Sequence, residues 1–214
     1  MRISYTMKVL LVNGSPHGKG CTYTALCEVA KGLSSEGIDY EILHLGKGDV
    51  PGCRGCGYCR KNGRCVIDDM VNETAGRLEE FDGFVFGAPV YYAGPAGQIT
   101  AFMDRLFYSS GRRMAYKPAA AVVSCRRGGS TAAFDRLNKY FTITNMPIVS
   151  SQYWNQVHGN TPDEVAKDLE GLQIMRTLGR NMGWMLRCIE AGRSAGVEVP
   201  APEERAQTNF IRPD

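Results

Sequence analysis

Five short apolar runs recur along the chain, each followed further on by a stretch with helical patterning. The runs are Met7–Val12, Tyr40–Leu45, Gly83–Phe86, Ala119–Ser124 and Met146–Ser150. The helical stretches are 22–36, 68–80, 97–109, 130–141 and 161 to about 195. Strands alternating with helices predict a doubly wound α/β fold, a five-stranded parallel sheet with helices on both faces in three layers. Asp68 and Asp69 place negative charge where a helix N-terminus favours it, and Pro162 suits the first position of the last helix. No repeat or linker interrupts the pattern, so residues 1–214 read as one domain. The segment 199–214, rich in Pro, Glu and Arg, reads as a surface arm or a subunit contact.

Composition narrows the function. A hydrophobic content of 43% with 22% charged residues is that of a packed globular chain, which excludes disorder. A net charge of +3 is too small to argue for nucleic acid, and Arg112-Arg113 and Arg126-Arg127 are local pairs rather than a stripe. The run at 8–12 is too short for a signal-peptide core, and no stretch approaches the ~18 apolar residues of a membrane span. A cytoplasmic protein is expected, without membrane or nucleic-acid partners. In that compartment thiols stay reduced, so eight cysteines point to metal or redox chemistry.

In such a sheet, ligands bind beyond the carboxyl ends of the strands. After the first strand comes Asn13-Gly14-Ser15-Pro16-His17-Gly18-Lys19-Gly20-Cys21-Thr22. Glycines and hydroxyls leading into a helix make a phosphate cradle of backbone N–H groups. The spacing fits neither the Walker A loop nor Gly-x-Gly-x-x-Gly. After the third strand, Pro89, Val90, Tyr91, Tyr92 and Ala93 form a loop that suits a flat aromatic ligand or, equally, packs with its tyrosines capping the sheet. After the fourth, Arg126, Arg127, Gly128 and Gly129 read by themselves as a solvated turn, or as guanidinium groups with close backbone approach to an anionic or electron-rich ring.

Between the second strand and its helix lie Cys53, Cys56, Cys59 and Cys65, with gaps of two, two and five residues and glycines at 55, 57 and 63. The spacing is similar to the ferredoxin type that holds a [4Fe–4S] cube. Structural zinc more often uses two separated Cys-x-x-Cys knuckles. A Cys-x-x-Cys dithiol relaying electrons, or four uncommitted thiols, are the other readings. Cys21, Cys27, Cys125 and Cys188 are scattered. His44, His158 and the adjacent Asp104-Arg105 read as structural, the last as no more than an exposed ion pair.

In combination, Gly14-Ser15-Pro16…Gly20-x-Thr22 and Pro89-Val90-Tyr91-Tyr92…Phe102-Met103-Asp104-Arg105 resemble the flavodoxin-like NAD(P)H-dependent FMN reductases. The cysteine run brings the resemblance closer to the iron-sulfur flavoprotein branch, which also allows a fourth cysteine five residues on. The resemblance covers roughly 7–190 and implies strand order 2-1-3-4-5. It implies FMN phosphate held by Ser15, His17, Gly20, Cys21 and Thr22, and the flavin ring against Pro89, Val90, Tyr91, Tyr92 and Ala93. Arg126, Arg127 and Gly128 then close near the ring, with Tyr92 and Arg126 tuning it. His17 and Cys21 stand where relatives often carry Arg and Asn. An FMN-dependent oxidoreductase is expected, passing electrons from NAD(P)H to a small acceptor such as a quinone, nitro or azo compound. No residue need act as acid or base, so none is named catalytic. A ferredoxin-linked iron-sulfur electron carrier and a non-enzymatic redox sensor are the alternatives, and the resemblance implies a homodimer or homotetramer.

Overall fold

Successive side chains of a strand point to opposite faces of its sheet, and here both faces are apolar. The computed structural model describes residues 6–204, 206 and 208. Its strands are β1 (Lys8–Asn13), β2 (Asp39–His44), β3 (Gly83–Tyr91), β4 (Gly94–Pro95), β5 (Ala119–Cys125) and β6 (Gln156–His158). The helices are α1 (Cys21–Ser35), α2 (Tyr58–Asn62), α3 (Met70–Gly76), α4 (Gly97–Ser110), α5 (Ser130–Thr142), α6 (Pro162–Val165) and α7 (Leu169–Ser194). Leu10, Val12, Phe84, Phe86 and Val123 pack under α3, α4 and α5. Val9, Leu11, Val85 and Val122 pack under α1 and α7. Burial on both sides is what a parallel sheet demands of its strands.

The sheet order is β2-β1-β3-β5-β6, all parallel, and β4 folds back antiparallel on the end of β3. Counted in chain order, the five parallel strands stand 2-1-3-4-5, as expected. On the far face α1 and α7 cross so closely that a Cβ on Gly179 would lie 2.2 Å from the Val29 carbonyl oxygen. Glycine is required there by contact.

Three element boundaries depart from the sequence expectation. The run 146–150 is not the fifth strand: it makes a single bridge at Ile148 to Ala119, and Gln156–His158 completes the edge instead. Pro147 has no N–H to give a ladder, and residues 150–155 leave the sheet before Val123 accepts the chain back by donating to the Asn155 carbonyl at 3.0 Å. The final helix is two: Thr161 caps α6, and Asp168 caps α7 by accepting from the Gly171 N–H. The stretch 68–80 is α3 followed by a 3₁₀ turn at Leu78–Glu80, with Asp69 rather than Asp68 as the cap. In the tail, 199–204, 206 and 208 are exposed; the rest of the expected contact arm lies outside the described residues.

Candidate functional site

The loop after β1 is braced from beneath. Asn13 is buried; its Oδ1 accepts the Ser15 N–H at 3.1 Å and its Nδ2 donates to the Gly18 carbonyl at 3.3 Å. His44, at the end of β2, places Nε2 2.9 Å from the Ser15 carbonyl oxygen. That oxygen only accepts, so the ring nitrogen facing it carries the proton. The Ser15 hydroxyl accepts the His17 N–H at 3.1 Å. So held, the loop leaves the N–H groups of Gly18, Lys19, Cys21, Thr22 and Tyr23 without a hydrogen-bond partner among the described residues. They stand where the positive end of α1 favours an anion.

The individual residues share this work unevenly. The His17 imidazole is exposed. Thr22 is buried, and its hydroxyl pairs with the Ser124 hydroxyl at 2.8 Å, so only its N–H faces the cradle. The Cys21 sulfur lies 3.7 Å from the Gly159 carbonyl, and burial pushes its thiol pKa up, keeping it neutral beside an incoming phosphate.

The loop after β3 is a tight hairpin. Tyr91 pairs with Gly94, leaving Tyr92 at φ 50° and Ala93 at φ 58° as the central residues. Two left-handed residues in a row are the geometry of a type I′ turn, where Asn-Gly is usual. Tyr and Ala there cost roughly 1–2 kcal/mol each. Tyr92 touches nothing that would repay this: its exposure is 107%. Backbone strain of this kind clusters at functional sites. Pro89 and Val90 are half-buried at the base and Tyr91 is exposed.

The loop after β5 packs on that hairpin. Gly129 (φ 85°) sits so close that a Cβ would lie 2.8 Å from Ala93 Cα and 3.1 Å from Val90 Cγ1. Gly128, beside it, has open space around it. Arg126 and Arg127 are exposed beside it. The Gly14 N–H donates to the Gly87 carbonyl at 2.9 Å, and the Gly159 N–H to the Cys125 carbonyl at 3.0 Å, tying the cradle and the β6 end into the same edge.

The cysteine segment forms a lobe of its own. Gly55, Gly57 and Gly63 all take positive φ, and α2 lies between the last two with no buried residue. Cys53 and Cys56 are exposed; Cys59 and Cys65 are half-buried. Helix α4 clamps both ends. Gln98 Nε2 donates to the carbonyls of Leu45, Gly46 and Gly48. Arg105, seven residues on and so on the same face, binds Pro51, Cys65, Ile67 and Asp69. Asn72 of α3 brackets Cys65, accepting its N–H at 2.9 Å and donating to its carbonyl at 3.0 Å.

Arg105 is thus neither exposed nor paired with Asp104, which instead accepts from the Tyr140 hydroxyl. His44, Asn13, Gln98, Asn72 and Gly129 also act at a distance in sequence that the motifs do not carry. Among the described residues no three His, Cys, Asp or Glu side chains stand close enough to hold one metal ion. The donor set nonetheless fits an iron-sulfur cube, in which each thiolate takes its own iron, whereas tetrahedral zinc needs all four sulfurs at one point. No described helix is long and apolar enough to cross a membrane.

The family model described as NADPH-dependent FMN reductase matches residues 7–161. An iron-sulfur flavoprotein of Methanocaldococcus jannaschii is 30% identical over 192 residues, covering 86% of this chain and 100% of that protein. The iron-sulfur flavoprotein of Methanosarcina thermophila is 27% identical over 194 residues, covering 87% of this chain and 99% of its own. Among solved structures, the NAD(P)H:quinone oxidoreductase from Methanothermobacter marburgensis shares the fold, with a TM-score of 0.63 at 18% identity over 83% of this chain and 98% of that one. The match over 7–161, with 30% identity to a relative covered over its whole length, places this chain in the NADPH-dependent FMN reductase family, in its iron-sulfur flavoprotein branch.

Proposed function

We propose that this FMN oxidoreductase takes electrons from NADH or NADPH and hands them to a small acceptor such as a quinone, nitro or azo compound. We propose further that Cys53, Cys56, Cys59 and Cys65 hold a [4Fe–4S] cluster as a second electron stop. FMN, when bound, supplies hydride acceptance and release of electrons singly or in pairs. The chain supplies the rest. The N–H groups of Gly18, Lys19, Cys21, Thr22 and Tyr23 bind the phosphate, and the neutral Cys21 thiol adds no repulsion. Tyr91 and Tyr92 flank the ring, Gly129 keeps the hairpin closed, and Arg126 and Arg127 bring positive charge to an electron-rich ring. No side chain is needed as acid or base. The observation that carries the two-centre reading is α4, which begins just past the aromatic turn and clamps both ends of the cysteine lobe.

Exposed Cys53 and Cys56 favour a second reading, an electron carrier that exchanges with ferredoxin and turns over slowly with NAD(P)H. Relatives bearing the iron-sulfur flavoprotein name support the cluster in either case. A homodimer or homotetramer in the cytoplasm remains the expected form. The test is an absorbance spectrum of anaerobically purified protein with iron and sulfide assays, followed by reduction with NADPH or with reduced ferredoxin. Flavin bands with equal iron and sulfide support both centres. Flavin without iron removes the cluster; no flavin after loading removes the proposal entirely. Fast bleaching by NADPH supports the first reading, and fast bleaching by ferredoxin alone the second.

A further inference from the structure

Arg105 is 1% exposed, deeper than any other charged side chain among the described residues. A guanidinium has five N–H donors, and burial penalises any left unmade. All five are used here. The two terminal nitrogens grip the Asp69 carboxylate at 2.7 Å each and reach the carbonyls of Pro51 at 3.3 Å and Ile67 at 2.9 Å. The fifth, Nε–H, points at the Cys65 sulfur at 3.2 Å. A neutral thiol is a weak acceptor, and carbonyl oxygens would serve a purely structural anchor better. A thiolate, which is what a metal ligand is, accepts a charge-assisted bond well.

We propose that Arg105 is a positioning residue for the iron-sulfur centre: it fixes Cys65 as the fourth ligand and, through Nε–H···S, raises the cluster's reduction potential. The inference rests on the cluster reading above. Reduction adds one electron and leaves the cube one unit more negative, so a cationic donor on a ligating sulfur stabilises the reduced form. Cluster potentials respond to net charge and to hydrogen bonds on the sulfurs in this way.

The test is a dithionite titration of the anaerobic holoprotein, followed by electron paramagnetic resonance, for wild type, Arg105→Lys and Asp69→Asn. Lysine keeps the charge but loses the planar fork and its N–H to sulfur. The expected result is a tenfold fall in the reduced-to-oxidised ratio at fixed potential, a midpoint lower by about 59 mV for one electron. Asp69→Asn breaks the same ion pair yet removes a negative charge, so its midpoint rises. Shifts in opposite directions support the proposal; equal directions, or an unmoved Arg105→Lys midpoint in iron-replete protein, overturn it. Should Arg105→Lys fail to fold, Asp69→Asn decides: a rise supports, and a flat or lower value overturns. Wild type without iron and sulfide removes the cluster reading itself, and this inference with it.

Discussion

Gly128 and Gly129 are neighbours with opposite expected responses to alanine. At Gly129 the backbone sits at φ 85°, which costs an L-residue roughly 1–2 kcal/mol. Its Cβ would lie 2.8 Å from Ala93 Cα, where carbon contacts relax at about 3.5–4.0 Å. Ala93 cannot yield cheaply, since it is backbone in a turn whose two central residues are already left-handed. Overpacking of this kind adds about 1–3 kcal/mol. The two terms put Gly129→Ala near 3 kcal/mol, and at about 2–4 °C per kcal/mol for this size the melting temperature falls by about 6–12 °C. Gly128→Ala meets open space at ordinary φ and stays within about 0.5 kcal/mol. Differential scanning calorimetry of apoprotein, with FMN titration by fluorescence quenching, measures both effects. FMN binding weakens by at least about tenfold for Gly129→Ala, since a displaced turn loses over ~1.4 kcal/mol of ring contact. Equal behaviour of the two variants would refute the convergence of these loops on one site.

Two further perturbations test other parts. Tyr92→Ala leaves apoprotein stability within about 0.5 kcal/mol, because the ring touches nothing, but weakens FMN by about 1 kcal/mol; unchanged FMN binding removes Tyr92 from the platform. Arg77 draws the Glu41 carboxyl down to about 2, against partial burial that pushes it up, and Lys8 adds to the pull. A carboxylate with a lowered folded pKa stabilises above its unfolded value of 4.5 and loses that contribution as pH falls through 2. After discounting for solvent screening, Glu41→Gln costs about 1 kcal/mol at pH 7. Thermal unfolding curves of wild type and variant therefore converge toward pH 2; curves that stay parallel rule out the ion pair as the cause.

Those parts of the fold that rest on local pattern were legible in the sequence. β1, β3 and β5 are apolar runs beyond ambiguity, and Gly14, Gly20 and the tyrosine pair advertise strand-end loops by composition. Contacts made across the chain were not. Nothing near Arg105 in sequence announces Asp69 or Cys65, so it reads as one half of an Asp104-Arg105 pair until the helix is folded against the lobe. His44 lies 29 residues from the carbonyl it supports. The edge strand misled for a different reason: Met146–Ser150 is apolar enough, but Pro147 and the sheet's edge position limit its pairing, while Gln-Val-His carries too little apolar signal. Gly129 was distinguishable from Gly128 only by the turn it meets.

The cysteine lobe adds little to the energy that holds the sheet together. Helix α2 has no buried residue, residues 52–56 are exposed, and the side-chain hydrogen bonds that hold the lobe lie toward its two ends, where Val50 also packs on the core. Segments of this kind exchange their amide hydrogens through local opening, with free energies far below that of global unfolding. The lobe between Gly48 and Asp69 is therefore expected to open at a lower free energy than the sheet. On the cluster reading proposed above, iron is inserted, lost and inserted again while the flavin domain stays folded, with α4 holding both ends of the lobe.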